Sequence, residues 1–309
     1  MLISNNNNKS NGNGKITNGW ELTRASVDGL VKAIESGRNE VFYSYLQTMA
    51  RFPQYSARNV LLIAAQCPTA SNLQGARSWN ELGRFVRPGE KGIFIFAPTV
   101  GVKNSSQSQA QDAAKKPAKG KKAAEAAKEP AQQPETQLLG FRGVYVFDVQ
   151  QTGGEELPQS RKPVDVAETL EKLTAFAQDQ KMSIEYARWI APNKGTSYRG
   201  TIRLLPNMEP AESFPVLLHE VASQMLYAAQ RRTFVTRALH QQETKAAAFV
   251  VCEALGLKSK TAFSDCQLYY GDSRLLSESL AVVHRTAAVI LGAISPEIAA
   301  PANSNQGVN

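Results

Sequence analysis

A chain of 309 residues has the length of about two domains, each able to bury a core. Its 42% hydrophobic and 20% charged residues exclude a wholly disordered or fibrous chain, and its net charge of +8 favours polyanionic partners over acidic surfaces of its own. No uninterrupted apolar stretch approaches the ~18–20 residues that cross a bilayer, and the Asn-, Gly- and Lys-rich run from Met1 to Asn18 lacks the apolar core of a signal peptide. A cytoplasmic protein with no membrane partner is expected.

The first elements are helical. Residues 1–18 are expected to be disordered. From Trp20 to Met49 the apolar residues Val27, Leu30, Val31, Ile34, Phe42, Tyr45 and Leu46 recur at helical spacing, with a break near Ser36-Gly37. Pro53 interrupts, and Ser56 is placed to cap a second helix to Gln66. A short helix or turn surrounds Trp79 between Ala76 and Leu82. The run Arg87 to Gly92 is a turn leading into a strand from Ile93 to Pro98.

Residues 103–137 hold Ala, Lys, Gln, Pro and Ser, with seven Lys against four acids and no aromatic residue. This composition predicts a flexible insertion. A strand over Phe141 to Val149 is expected to pair with Ile93 to Ala97, making the insertion an expanded hairpin loop. Residues 150–158 close a first domain, residues 19–158. A second domain, residues 159–295, is expected to be mainly helical. It has helices at Val166 to Gln178, Ser213 to Ala229, Gln241 to Leu255 and Leu276 to Ile294, and short strands at Ser183 to Ala187 and Gly200 to Leu205. The tail from Pro296 to Asn309 is expected to be disordered. The fold class is therefore α+β in two domains. Cys67, Cys252 and Cys266 form no CxxC pair and read as free thiols.

Charge is uneven. Residues 1–158 carry 19 Lys and Arg against 13 acids, and residues 159–309 carry 16 against 14. Cations that follow a phosphate backbone and rings that stack on bases are what single-stranded nucleic acid requires. Arg51, Arg58, Arg77, Arg84, Arg87 and Lys91 lie in one segment with Phe52, Tyr55, Trp79 and Phe85. Phe52 and Phe85 read as core. Tyr55 and Trp79 suit either the core or a stacking role. Asn59 and Gln66 have amides suited to bases or sugars. The candidate binding set is Tyr55, Arg58, Asn59, Trp79, Arg84, Arg87 and Lys91.

In the second half His219-Glu220 begins an H-E-x-x-H pattern that ends on Ser223. In an intact pattern two His one helical turn apart bind zinc and the Glu activates the bound water. Ser is a poor neutral ligand for zinc. Glu220 is then the remnant of a general base and His219 the remnant of a metal ligand.

The ordered motifs Tyr55 to Ile63, Gln66-Cys67-Pro68, Trp79 to Arg84, Gly89 to Ile93 and Val146 to Thr152 resemble the N-terminal domain of ArdC-like antirestriction proteins. The run from Glu243 to Val251 resembles the second helix of the family's zincin-like metallopeptidase domain. The resemblance implies single-stranded DNA as partner, protection of incoming or mobile-element DNA from restriction, and Glu243 as the remaining third metal ligand. Lys245 stands where another Glu is common. A metal held by His219 and Glu243 alone is expected to be weak, so no cofactor is expected beyond loosely bound zinc. His240, expected in a loop, and His284 are the other imidazoles in reach. Three functions stay open: a DNA-binding pseudo-peptidase, a residual zinc metalloprotease acting on a host protein, and a non-cleaving module that grips a restriction enzyme or other host protein.

Overall fold

Helix α1, Gly12–Glu35, opens the fold. It is longer than its sequence suggests, because residues 12–18 continue the helix back from Trp20 instead of belonging to a disordered leader. Once a helix is nucleated, each added residue gains a backbone hydrogen bond, which offsets the poor propensity of Gly and Asn. The computed structural model describes residues 12–102, 136–157, 163–229, 234–257 and 266–299. Most of the Ala/Lys insertion lies outside the described residues, as do residues 1–11 and 300–309.

The chain turns at Ser36–Arg38 into α2, Asn39–Arg51, and after Pro53 into α3, Ala57–Gln66. Ser56 caps α3 by accepting from the Asn59 N–H. The short β1, Leu73–Gln74, and α4, Ala76–Glu81, lead to β2, Arg84–Val86. The hairpin follows as β3, Ile93–Val102, and β4, Thr136–Asp148, with Ile93 opposite Val146 and Ala97 opposite Arg142. Both strands run past the expected ends, so Thr136 and Gln137 belong to β4. Strand order in this sheet is β1-β4-β3, and β5, Thr152–Gly154, pairs with β2 in a separate ribbon.

Two features fix the sheet. The first is the exposed edge of β3. The Asn59 amide donates to the Phe96 carbonyl at 2.8 Å and accepts from its N–H at 2.9 Å. One turn pair further on, the Gln66 amide does the same at Phe94, with both bonds at 2.9 Å. Two side chains seven residues apart on α3 thus substitute for a neighbouring strand. The second is the ring of Phe94. A Cβ at Gly19 would sit 2.4 Å from it and one at Gly143 2.5 Å, so only glycine lets α1 and β4 close on the ring.

Asp148 ties the hairpin to its surroundings. Its carboxylate accepts from the backbone of Ser71, Asn72 and Gln150, and Gln151 returns a bond to the Asp148 N–H. The Gln151 amide also donates to the Lys91 carbonyl and to Glu90. The motif Val146 to Thr152 therefore clamps the turn at residues 87–91.

Helix α5, Val166–Asp179, starts on Asp165, which caps two backbone N–H groups. A second sheet, order β6-β8-β7, consists of β6, Ser183–Tyr186, β7, Gly195–Tyr198, and β8, Thr201–Leu204; β6 is parallel to β8 and β7 antiparallel. The polar run of β7 gave no strand signal in the sequence. Helices α6, Pro210–Ala228, α7, Arg237–Ala254, and α8, Ser273–Ile294, complete this half. A last turn, α9, Pro296–Ala299, buries Ile298, which corrects the expectation that the tail is free from Pro296.

Buried residues from both halves belong to one hydrophobic cluster, from Leu46 and Ile63 through Phe249 to Leu280 and Leu291. Rings join across it: Phe42 on Tyr269 at 5.8 Å and Tyr43 on Phe249 at 4.9 Å. Ser273 donates to Asp28 at 2.7 Å, tying the start of α8 to α1. By length and hydropathy α8 could cross a membrane, although Arg274, Glu278 and Arg285 interrupt its apolar residues. Its apolar face is instead packed in this core: Leu276, Leu280, Val283, Ile290 and Leu291 are all buried.

Asn59→Ala strips partners from two buried backbone groups of β3. The expected loss is about 2–6 kcal/mol in urea denaturation, since each of the two orphaned groups costs ~1–3 kcal/mol. A loss near zero would mean that water replaces the amide.

Candidate functional site

A groove of about 1610 Å³ runs between the β3–β4 sheet, the start of α3 and one face of α8. Arg58, Arg77, Arg142 and Arg285 line it, against the single acid Glu81. Glu81 is already bridged to Arg77 at 3.3 Å. Phe141 and Tyr145 on β4 are half exposed, 49% and 50% accessible, but they alternate with Arg142 and Val144, so their rings share the face of Phe94. Arg58 is fixed with its guanidinium 4.0 Å from the centre of the Trp20 ring and 5.8 Å from that of Phe96. Burial lowers its proton affinity, yet a guanidinium remains a cation at neutral pH. The N-terminal turn of α3 carries no acid and lines the groove with Ser56, Ala57 and Arg58, so its positive dipole end faces the same space.

This arrangement sorts the sequence candidates. Tyr55 and Arg58 reach the groove. Asn59 lines it but has both amide atoms bonded to Phe96, so it holds the sheet and is no base reader. Trp79 is 0% exposed and donates its indole N–H to the Phe147 carbonyl at 2.9 Å, which makes it a core residue. Arg84 bonds Thr152 and the Glu155 carbonyl and joins β2 to β5. Arg87 reaches the Gln150 carbonyl and lies 3.6 Å from Glu90. Arg87 and Lys91 are exposed at the turn, outside the groove lining. Phe52 is core as expected, whereas Phe85 is 57% exposed, contrary to expectation. Arg142 and Arg285 escaped notice because only the fold brings β4 and α8 together.

His284 of α8 also lines the groove, 9% exposed. Burial pushes its pKa down to about 4, against the opposing pull of a hydrogen bond to the Tyr55 backbone. That bond takes one ring nitrogen, and Nε2 has no partner.

A second pocket, about 440 Å³, gathers His219, Glu220, Ser223 and Tyr227 of α6 with Arg237, His240 and Thr244 of α7, beside β7. Gly195 brings β7 close to α6: a Cβ there would lie 2.5 Å from Val216. Burial lowers the proton affinity of His219; Glu220 raises it and Lys245 lowers it. His240 sits inside α7, not in a loop. Its Nε2 lies 3.0 Å from the Ser223 hydroxyl and its ring stacks on Tyr227 at 3.7 Å. Glu243 does not line this pocket. It is fully buried and accepts from Ser279 of α8. The Glu243 carboxylate is thus engaged by α8. Among the described residues no three His, Cys, Asp or Glu side chains are grouped as a metal would need. The donor set does not fit a three-ligand zinc site.

Residues 21–147 match the family described as the N-terminal domain of anti-restriction factor ArdC. Among solved structures the chain is similar to the antirestriction ArdC protein from R388 plasmid. The Mn(II)-bound form has a TM-score of 0.50 at 17% identity, covering 91% of this chain and 99% of that one. The metal-free form has a TM-score of 0.49 at 16% identity, covering 89% and 98%. No curated protein gives a match. The ArdC-like match contains α2, α3, β3 and most of β4, hence one whole wall of the groove.

Protonation of this chain is expected to be felt at His284. Its folded pKa lies below the ordinary 6.5, so the unfolded chain takes up a proton first as pH falls. Stability from this group is complete above pH ~6.5 and declines until about 4, by roughly 3 kcal/mol in all. His284→Gln removes that share of the slope in urea titrations between these pH values. An identical slope in both proteins would contradict the buried, neutral imidazole.

Proposed function

We propose that this chain binds single-stranded DNA in the groove between the β3–β4 sheet and α8, and that it acts in antirestriction by covering incoming or mobile-element DNA. The observation that carries this reading is four arginines against one acid in one groove. Cations neutralise phosphates and release their counterions. Phosphates are common to every strand, so sequence preference is slight. Arg58, pinned on Trp20, meets the strand already oriented.

Binding of labelled single and double strands, followed by fluorescence anisotropy over a salt series, tests it. Preference for the single strand and a steep decline with salt are expected. Arg142→Ala and Arg285→Ala should each flatten the log–log salt slope by about 0.7. Unchanged affinity in the double variant would remove the groove from consideration. Equal loss on moving to an Arg84→Ala, Arg87→Ala protein instead would favour the β2–β5 turn.

We further propose that the residues around His219 form a degenerate metallopeptidase site of zincin type, retained as a fold. The R388 protein has a Mn(II)-bound form. Here Ser223 replaces one imidazole, and its hydroxyl is bonded to His240. Zinc or Mn(II) at about 100 µM should leave the melting temperature unchanged, since a ligand present at 100 times its Kd stabilises by ~2.7 kcal/mol. A rise of several degrees would restore the metalloprotease reading.

A further inference from the structure

We infer that the outer face of the β6-β8-β7 sheet is a second contact surface for single-stranded DNA, on which Trp189 and Tyr198 stack bases. The inference takes its ligand from the proposed function and none of its residues. Alternation sets the two faces of this sheet. On β8 Ile202 and Leu204 are buried, whereas Thr201 and Arg203 are partly exposed. On β7 Thr196 and Tyr198 are exposed and lie opposite Arg203 and Thr201. Glu185 of β6 lies opposite Arg203 on the other side. These residues share the face turned away from the core.

Two large rings stand on this face. Trp189, in the turn after β6, is 73% exposed and has the Arg203 guanidinium 5.6 Å from its ring centre. Tyr198 is 64% exposed and has the Arg199 guanidinium 5.1 Å from its ring centre. Tyr198 and Arg203 are diagonal neighbours in the ladder, about 7–8 Å apart. Rings and cations therefore alternate as Trp189, Arg203, Tyr198 and Arg199. Arg199 has φ 47° and Gly200 φ 82° in the tight β7–β8 turn. Glycine or asparagine is the usual occupant of that conformation, and here it places a cation at the tip of the hairpin.

The surrounding charge has one sign. Residues 181–204 hold Lys181, Arg188, Lys194, Arg199 and Arg203 against the single acid Glu185. Arg203 holds Glu185 at 3.0 Å, and Lys181, Arg188 and Arg199 are exposed. Exposed rings among cations suit a ligand that is anionic along one side and flat and aromatic along the other. A single strand has both properties, whereas a duplex keeps its base faces inside the stack. A second copy of this chain would set like charges against each other. An acidic peptide would meet the charge and leave the rings uncovered. Sheets of RNA-binding modules stack about two or three bases on exposed rings in this way. Every base has a flat face, so the contact selects single strands without choosing among bases.

The test uses the full chain labelled with 5-fluorotryptophan. The chain has only three tryptophans, and each reports on a different place. Trp189 lies on the sheet face, Trp20 lies under Arg58 at the groove, and Trp79 is buried in the core. Their ¹⁹F resonances would be followed on adding oligothymidylate of about 20 nucleotides, intact or with abasic sites throughout. The Trp189 resonance should shift with the intact strand, stay in place with the abasic one, and respond in the same way in the Arg142→Ala, Arg285→Ala protein. Trp189 unmoved while Trp20 shifts would overturn this inference and leave the groove standing. Trp189 shifting while Trp20 stays in place would support it and count against the groove. An equal shift of Trp189 with the abasic strand or with polyglutamate would show attraction of any polyanion and overturn base stacking. In anisotropy titrations the Trp189→Ala, Tyr198→Ala protein should lose about tenfold in affinity for the intact strand. The Trp189→Phe, Tyr198→Phe protein, which keeps both rings, should recover most of that loss. Both variants binding as the wild type does would contradict the contact.

Discussion

The pair of side-chain amides that seals β3 governs much of this structure. A strand edge exposes N–H and C=O groups that either pair or invite another chain. Asn59 and Gln66 satisfy two residues' worth of that edge from one helix. Their seven-residue spacing matches two helical turns to the alternate residues Phe94 and Phe96. The bonds fix α3 against the sheet in both position and rotation. As a result the N-terminal turn of α3, with Arg58 next to Asn59, is held at the head of the groove. The rings of Phe94 and Phe96 are turned toward α1, where Gly19 and Trp20 receive them.

Much of the fold was legible because local signals agreed with burial. Ser56 caps α3, Pro53 separates it from α2, and the alternating residues around Tyr145 pair with Ile93 to Ala97 as expected. Failures have physical causes. Residues 12–18 join a helix through cooperativity that composition does not reveal. The run Gly195–Tyr198 forms a strand because β8 pairs with it, although nothing apolar in its sequence calls for one. His240 falls inside α7 because Thr236 caps the helix four residues earlier than expected.

The binding set was half legible. Polar and aromatic residues near one another in sequence look alike whether they serve a ligand or the protein's own backbone. Asn59, Trp79 and Arg84 all turned out to hold carbonyls or strands of this chain. Tyr55 and Arg58 kept their place at the groove. The groove residues Arg142, Arg285 and His284 are distant in sequence and meet only across the core that joins the two halves. That core is also why the second half matters to a DNA-binding reading. It supplies α8 as a wall of the groove. The pocket on α6 and α7 holds His219 and Glu220 beside a hydrogen bond between Ser223 and His240.

A groove built from both halves can be tested directly by photocrosslinking. A single-stranded oligonucleotide carrying a photoreactive base would be irradiated with the full chain, and the crosslinked peptides identified by mass spectrometry. Crosslinks should fall on β4 around Arg142 and also on α8 around Arg285. Crosslinks confined to the turn at residues 84–91, with none on α8, would contradict a site shared by the two halves of the chain.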